Sequence, residues 1–380
     1  MESNPEQNFI PIVKPFLPQD IDSIISDTKE ILDSGMLSKG KHLRDFEETL
    51  ASYLGVEHIV AMSSCTMGLL LTYSWLSEKK DTRKQVLVPS FTFMATVHPL
   101  KWVGLEPVFV DIDSRTWNVS IDSIENSIKD DTLAIVAVHN FGNPAPIEEL
   151  SKICDQYNLS LIFDSAHGFG SLYKGKRLGS FGDAEIFSLT PTKLLVGGEG
   201  GVVSTNNKDL ADYLRLGREY GNPGDYGSVM PGLNARLPEF NAMLAKHGIS
   251  GLESQSKMRN QIAEWYREDL SKIDGLEFQE IEKSNVSSYK DLNINVIKDK
   301  FGMDRDLLAK NLLKDKIDTR KYHYPAVHTH QTYSDTFNFS NPNLPITNSV
   351  SEQCLSLPIW AAMDRETVSY ITSSIKKYRK

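Results

Sequence analysis

The sequence predicts an α/β fold, with a large domain built on a mostly parallel sheet and a smaller α+β domain after it. Three observations predict it. Between about Glu57 and Asn206, short β-branched runs alternate with stretches long enough for crossover helices. Most of these runs are continuously apolar, as expected of strands covered on both faces. Near residue 250 the pattern changes to a long amphipathic helix, an alternating strand and another helix.

The predicted strands are His58–Met62, Val86–Val88, Pro107–Val110, Ala134–Val138, Leu159–Phe163, Ala184–Phe187 and Gly201–Ser204. Thr66–Leu76 and Pro146–Gln156 have the length of crossover helices. Met258, Ile262, Trp265, Tyr266 and Leu270 recur at helical spacing among charged residues, so that helix lays one apolar face on the core. Leu292–Ile297 alternates like a half-exposed strand, and Asp304–Leu313 reads as an amphipathic helix with an acidic first turn. Asn338–Asn343 is polar and loop-like. The expected division is a large domain over 1–250, then a connecting helix and small α+β domain over 251–380, since one core seldom grows to this size.

Composition excludes several function classes. The 380 residues carry a formal charge of -9, against a nucleic-acid-binding surface. No apolar run approaches the roughly 18 residues of a membrane helix. Met1–Pro5 has neither the basic nor the apolar segment of a signal peptide. The three cysteines, Cys65, Cys154 and Cys354, are widely separated and match neither a disulfide framework nor a zinc pattern. The expectation is a soluble cytoplasmic enzyme without a metal centre and without nucleic-acid or membrane partners.

Ligands of open α/β sheets bind beyond the carboxyl ends of the strands, so the chemistry is sought there. The first strand ends in Ser63-Ser64-Cys65-Thr66 before an apolar helix. Such a start is either an ordinary Ser/Thr N-cap or an anion site made of free amides. The fifth ends in Asp164-Ser165-Ala166-His167, where a buried Asp serves as a helix cap or meets a cation. The sixth leads to Ser188 and then Lys193, a solvated loop lysine or one whose lowered pKa makes it a nucleophile and base. Neither a Walker loop nor a Gly-x-Gly-x-x-Gly after the first strand is present. Anion cradle, strand-end Asp and lysine together are what pyridoxal phosphate demands, for its phosphate, its pyridine nitrogen and its aldehyde.

Ordered motifs along nearly the whole chain resemble the DegT/StrS family of pyridoxal-phosphate-dependent, fold-type-I sugar aminotransferases. They include Ser34–Gly40, Ser64-Cys65-Thr66, Val88–Thr96, Asp164–His167, Ser188–Lys193, Gly198–Gly201, Asn234–Leu237 and Cys354–Pro358. The resemblance implies Lys193 as the Schiff-base lysine and proton carrier, with Asp164 on the pyridine nitrogen and His167 beside the phenolic oxygen. It implies Phe93 stacked on the ring, and Ser64, Cys65, Thr66 and Ser188 at the phosphate. Asn234 would come from the partner subunit of a homodimer. Arg236, His323 and His328 are the expected substrate residues.

Three positions depart from the family pattern: Cys65 where Gly is frequent, Leu37 where Trp or Tyr is common, and His167 where some members have Gln. Lys193 itself excludes the dehydratase branch, which carries histidine there. The family implies L-glutamate as donor and a nucleotide-linked keto sugar as acceptor. Gly198-Glu199-Gly200-Gly201 leans toward amination at C4 of a 4-keto-6-deoxy sugar. A keto-cyclitol acceptor and a non-catalytic, cofactor-binding sensor are the alternatives.

Overall fold

In the computed structural model, which describes residues 9–78, 81–334 and 343–379, the predicted alternation is realised as two sheets. Met1–Pro5 and all of the polar stretch Asn338–Asn343 except its last residue lie outside the described residues. The large sheet contains β1 (His58–Met62), β2 (Gln85–Pro89), β3 (Glu106–Val110), β4 (Thr132–Val138) and β5 (Ser160–Asp164). A small hairpin, β6 (Leu172–Tyr173) and β7 (Lys176–Arg177), precedes its last two strands, β8 (Ala184–Ser188) and β9 (Gly201–Thr205). Their order is β1-β9-β8-β5-β4-β2-β3. The pairs from β8 through β5, β4 and β2 to β3 are parallel, whereas β9 runs antiparallel to both β8 and β1. The reversal has a local cause: residues 189–200 join β8 to β9 without a helix, and parallel neighbours need a longer crossover.

Helices cover both faces, which is why the strands read as unbroken apolar runs. On one side α2 (Lys41–Leu54), reached from α1 (Ile21–Ser34), packs Phe46 and Leu50 into a shared core. On the other, α3 (Cys65–Glu78) buries Leu69, Leu71 and Leu76. The crossovers continue with α4 (His98–Trp102), α5 (Ile121–Ser127) and α6 (Ile147–Tyr157); α7 (Lys208–Gly217) and α8 (Glu239–Gly248) follow β9.

The N-terminus of α2 has no side-chain cap of its own. Instead Glu239 of α8, 1 % exposed, accepts the N–H groups of Gly40, His42 and Leu43 at 2.8, 2.8 and 3.3 Å. Its charge also meets the positive end of the helix dipole. Glu239→Ala leaves three donors without an acceptor and is expected to lower stability by about 3 kcal/mol, read as a fall in the urea midpoint. An unchanged midpoint would contradict the capping role.

The long helix is present as α9 (Leu252–Leu270), with Ile262, Tyr266 and Leu270 buried. It packs on a second sheet of order β10 (Leu276–Phe278), β11 (Leu292–Val296) and β12 (Cys354–Leu357), antiparallel throughout. Arg305–Lys314 and Arg365–Tyr378 complete this core, and Asp304 caps the former by accepting the Leu307 N–H at 2.8 Å. The strand expected to be half exposed is buried at every residue of β11. It is the central strand, and helix Pro345–Gln353 lies against it, so the polar face of Asn293 and Asn295 is also shielded from water. Near the start of the chain, Ile10 N–H bonds to Lys316 O at 2.8 Å, tying the N-terminal segment to the C-terminal half. Among the described residues no helix is long and apolar enough to cross a membrane.

Candidate active site

The parallel register aligns the ends of β5 and β8, with Asp164 opposite Ile186, and the antiparallel pairing of β9 sets its Gly201 between Ser188 and Met62. The residues that follow these strand ends therefore converge on one cavity of about 320 Å³. Ser64, Cys65, Thr66, Phe93, Asp164, His167, Ser188, Lys193 and His323 all line it. Two larger clefts, about 470 and 590 Å³, open elsewhere on the surface, and neither holds Lys193 or Asp164.

One wall is the N-terminus of α3. Ser64 is its cap: Oγ accepts the Met67 N–H at 3.1 Å and its carbonyl accepts that of Gly68 at 3.2 Å. The Cys65 and Thr66 amides bond to nothing among the described residues, as the first amides of a helix do unless a ligand meets them. Gly201 is what brings β9 so close. A Cβ there would sit 2.2 Å from Cys65 N and 2.4 Å from the Ser64 carbonyl carbon. Ser188 Oγ, which accepts the Thr190 N–H at 3.5 Å, adds a hydroxyl to the same cradle. Burial, reinforced by Asp164, pushes the Cys65 thiol's pKa well up, which favours its protonated form.

Asp164 lies at the bottom, 6 % exposed. Its Oδ2 accepts from Thr96 Oγ1 at 2.7 Å and its Oδ1 from the Ala166 N–H at 3.0 Å. Burial nevertheless raises its pKa, outweighing those bonds and the attraction of Lys193. Such a carboxyl gains most from a cationic partner placed against it. The loop beyond Asp164 is held by Glu185, fully buried on β8. Its carboxylate accepts from Ser165 Oγ at 2.6 Å and from the Gly179 and Phe181 amides at 2.6 and 3.0 Å.

Lys193 sits on the β8–β9 connection, pinned from behind by Asn241 Nδ2, which donates to Gly197 O at 2.8 Å and Glu199 O at 3.0 Å. Its pKa is lowered to about 8, first by burial and then by the neighbouring Lys290 ammonium. The cost of desolvating the charge favours the neutral amine, the form that attacks a carbonyl.

His167 accepts the Phe141 N–H at Nδ1, 3.2 Å, which assigns the proton of the neutral ring to Nε2. Burial keeps it neutral, with a pKa well below the usual value. His323 stacks on Phe141 at 5.4 Å, and burial pushes its pKa down to about 3. Phe93 is 57 % exposed, its ring open to the cavity.

Three expected site residues are not brought into this cavity. Asn234 is exposed and lies outside the cavity of its own chain. Arg236 pairs with Glu219 at 3.1 Å, which Lys39 also meets at 3.2 Å, and lies outside this cavity. His328 is buried against Phe109, shares a 2.6 Å hydrogen bond between Nδ1 and Ser90 Oγ, and anchors a loop outside this cavity. Conversely, Lys290, Asp291 and Tyr322 line the cavity without having been expected there. The first two had one visible signal: adjacent charges placed directly before an apolar strand.

The arrangement fits pyridoxal phosphate: unpaired helix amides and hydroxyls for a phosphate, a buried carboxylate for a ring nitrogen, a lysine of lowered pKa for an aldehyde. A sheet of this topology, with its lysine on the loop before the reversed strand, places the molecule among the fold-type-I transferases. The chain belongs to the DegT/DnrJ/EryC1/StrS aminotransferase family, whose model matches residues 18–376. It is 31 % identical to GDP-perosamine synthase of Vibrio cholerae, over 97 % of this chain and 99 % of that one. It is also 31 % identical to dTDP-4-amino-4,6-dideoxy-D-glucose transaminase of Escherichia coli, over 96 % and 97 %. Among solved structures it resembles DesI, determined in the presence of its TDP-sugar product, at 30 % identity and a TM-score of 0.89, covering 97 % of this chain and 92 % of that one. Helicobacter pylori PseC, an aminotransferase of pseudoaminic acid biosynthesis, superposes with a TM-score of 0.91 at 28 % identity, covering 98 % and 99 %.

Proposed function

We propose that the protein transfers the amino group of L-glutamate to a nucleotide-linked keto sugar, at C4 of a 4-keto-6-deoxy sugar, using pyridoxal phosphate. The observation that carries this is the meeting of a buried lysine of lowered pKa, a buried carboxylate and an amide cradle in one cavity. The relatives named above, whose names or descriptions refer to nucleotide-linked or amino sugars, support the acceptor class.

Bound pyridoxal phosphate supplies an aldehyde that takes up the amine and a ring that accepts electrons from the substrate carbon. The chain's residues then have defined tasks. The Cys65 and Thr66 amides, with Ser64 and Ser188, hold the phosphate. Asp164 would hold the ring nitrogen and favour its protonated form. His167 would offer its Nε2 proton to the phenolic oxygen, and Phe93 would lie against the ring. Lys193 would hold the aldehyde and serve as the base that moves a proton at the substrate carbon. His323 contacts the substrate, and Asn234 of the partner subunit completes the phosphate site. On this reading the protein works as a homodimer in the cytoplasm, each chain divided into a catalytic domain over 1–250 and a small domain over 251–380.

The test is a glutamate-dependent screen of the holoenzyme against nucleotide-linked keto sugars and keto-cyclitols, measuring 2-oxoglutarate release. Release that depends on a nucleotide-linked 4-keto-6-deoxy sugar is expected. Release only with keto-cyclitols, or with no acceptor at all, would reject the proposed substrate.

A further inference from the structure

Lys290 and Asp291 form an ion pair on the wall of the active-site cavity, 5 % and 6 % exposed. Lys290 Nζ donates to Asp291 Oδ1 at 2.8 Å and to Oδ2 at 3.0 Å. Neither side chain hydrogen-bonds to another group among the described residues; the ammonium also lies 5.5 Å from the Tyr322 ring centroid. A buried pair of this kind contributes little stability over an apolar pair of similar volume, so its place on the cavity wall calls for another reason.

The supporting structure is extensive. Arg259 of α9, fully buried, donates to Tyr289 O at 2.9 Å and Lys290 O at 3.3 Å. Ser288 Oγ donates to His167 O at 2.9 Å, and Asn260 Nδ2 to Ser287 O at 2.8 Å. The segment 287–291 is thus bolted to the loop that bears His167 and to α9, which fixes the pair in the cavity.

Its chemistry selects a ligand group. An ammonium has three donors and a carboxylate about four acceptor positions, so the pair keeps one N–H and free acceptor capacity after its internal bonds. A hydroxyl both accepts and donates, and satisfies both at once. A carboxylate would accept from Lys290 but would be repelled by Asp291, and the pair's net charge of zero offers it no compensation. Glutamate carries two carboxylates; a sugar ring carries hydroxyls.

We propose that the Lys290–Asp291 pair is a specificity element that reads the acceptor's ring hydroxyl next to the carbon being aminated. This rests on the nucleotide-sugar aminotransferase reading above. The pair accepts the hydroxyl's proton-bearing end at Asp291 and donates to its oxygen from Lys290. An acceptor lacking that hydroxyl leaves a buried charged pair facing empty space.

The experiment compares the holoenzyme with the double variant Lys290→Met, Asp291→Leu, in which apolar side chains of similar size replace the pair and preserve the fold. The acceptors are a nucleotide-linked 4-keto-6-deoxy hexose and its 3-deoxy counterpart. The wild type is expected to prefer the hydroxylated acceptor by about 100-fold or more in kcat/KM, and the variant by less than about 3-fold. Lys290 lowers and Asp291 raises the Lys193 pKa, so removing both charges together leaves the two influences to offset, and the glutamate half-reaction, followed by the change in cofactor absorbance, should stay within about 3-fold in the variant. A hydroxyl-to-deoxy preference unchanged in the variant overturns the proposal. So does a glutamate half-reaction that falls as far as the acceptor step, because the pair would then serve donor or cofactor. Asp291→Asn provides a second reading of the same preference, expected to fall about 10-fold. Glutamate turnover by the unchanged holoenzyme, measured in the same series, reports separately on the underlying aminotransferase reading.

Discussion

Lys193→Ala is expected to abolish the visible absorbance band of the purified holoprotein and to slow amino transfer by about 10⁴-fold or more, since it removes both covalent anchor and proton carrier. The pH dependence of cofactor capture tests the same residue without disabling it. Burial, aided by the charge of Lys290, lowers the Lys193 pKa to about 8. Below that value the side chain is the ammonium and does not attack; above it the neutral amine does. The rate at which the apoprotein captures pyridoxal phosphate should therefore rise about tenfold per pH unit from 6 to near 8 and then level off. An ordinary lysine, titrating at roughly 10.4, would keep rising through pH 9. A colourless wild-type protein that takes up no added cofactor, or capture still climbing above pH 9, would sink the role.

The second large effect is expected at Asp164. Asp164→Asn keeps the volume and the contact with Thr96 Oγ1 but loses the negative charge that a protonated ring nitrogen needs. Cofactor should still bind through Lys193 and the α3 amides, while the glutamate half-reaction slows on the order of 10³-fold, equivalent to about 4 kcal/mol. Asp164→Ala should slow it at least as far, because Thr96 Oγ1 and the Ala166 N–H then lose their acceptor. The raised pKa of Asp164 has burial as its main cause, which is why a bound cation there matters more than at a solvated carboxylate. Stopped-flow absorbance on cofactor-loaded variants reads this directly, and undiminished turnover would contradict it.

Much of the fold was legible because its physics is local. Seven apolar runs matched the seven strands of the large sheet to within two residues, since strands covered on both faces carry no polar alternation. The strand-end rule then pointed to Ser64, Asp164, Ser188 and Lys193, and these do share a cavity. Legibility ended where a residue's role depends on what packs over it. Asn293 and Asn295 read as a solvent-facing edge, yet Pro345–Gln353, some fifty residues on, lies against that strand. Arg236 and His328 have the residue types of substrate ligands, but in this chain they meet Glu219 and Ser90 outside the cavity, contacts that no short stretch of sequence announces.

From the residues alone came the parallel sheet, the lysine and carboxylate of the site, and the cofactor they demand, because strand burial, helix-terminal amides and strand-end charges are written in short stretches of chain. Folding alone decided the reversal of β9, the lowered pKa of Lys193, the neutral states of His167 and His323, and the entry of Lys290 and Asp291 into the cavity. Those depend on desolvation and on contacts between segments about a hundred residues apart. Such distances are set only when the C-terminal half closes over the strand ends.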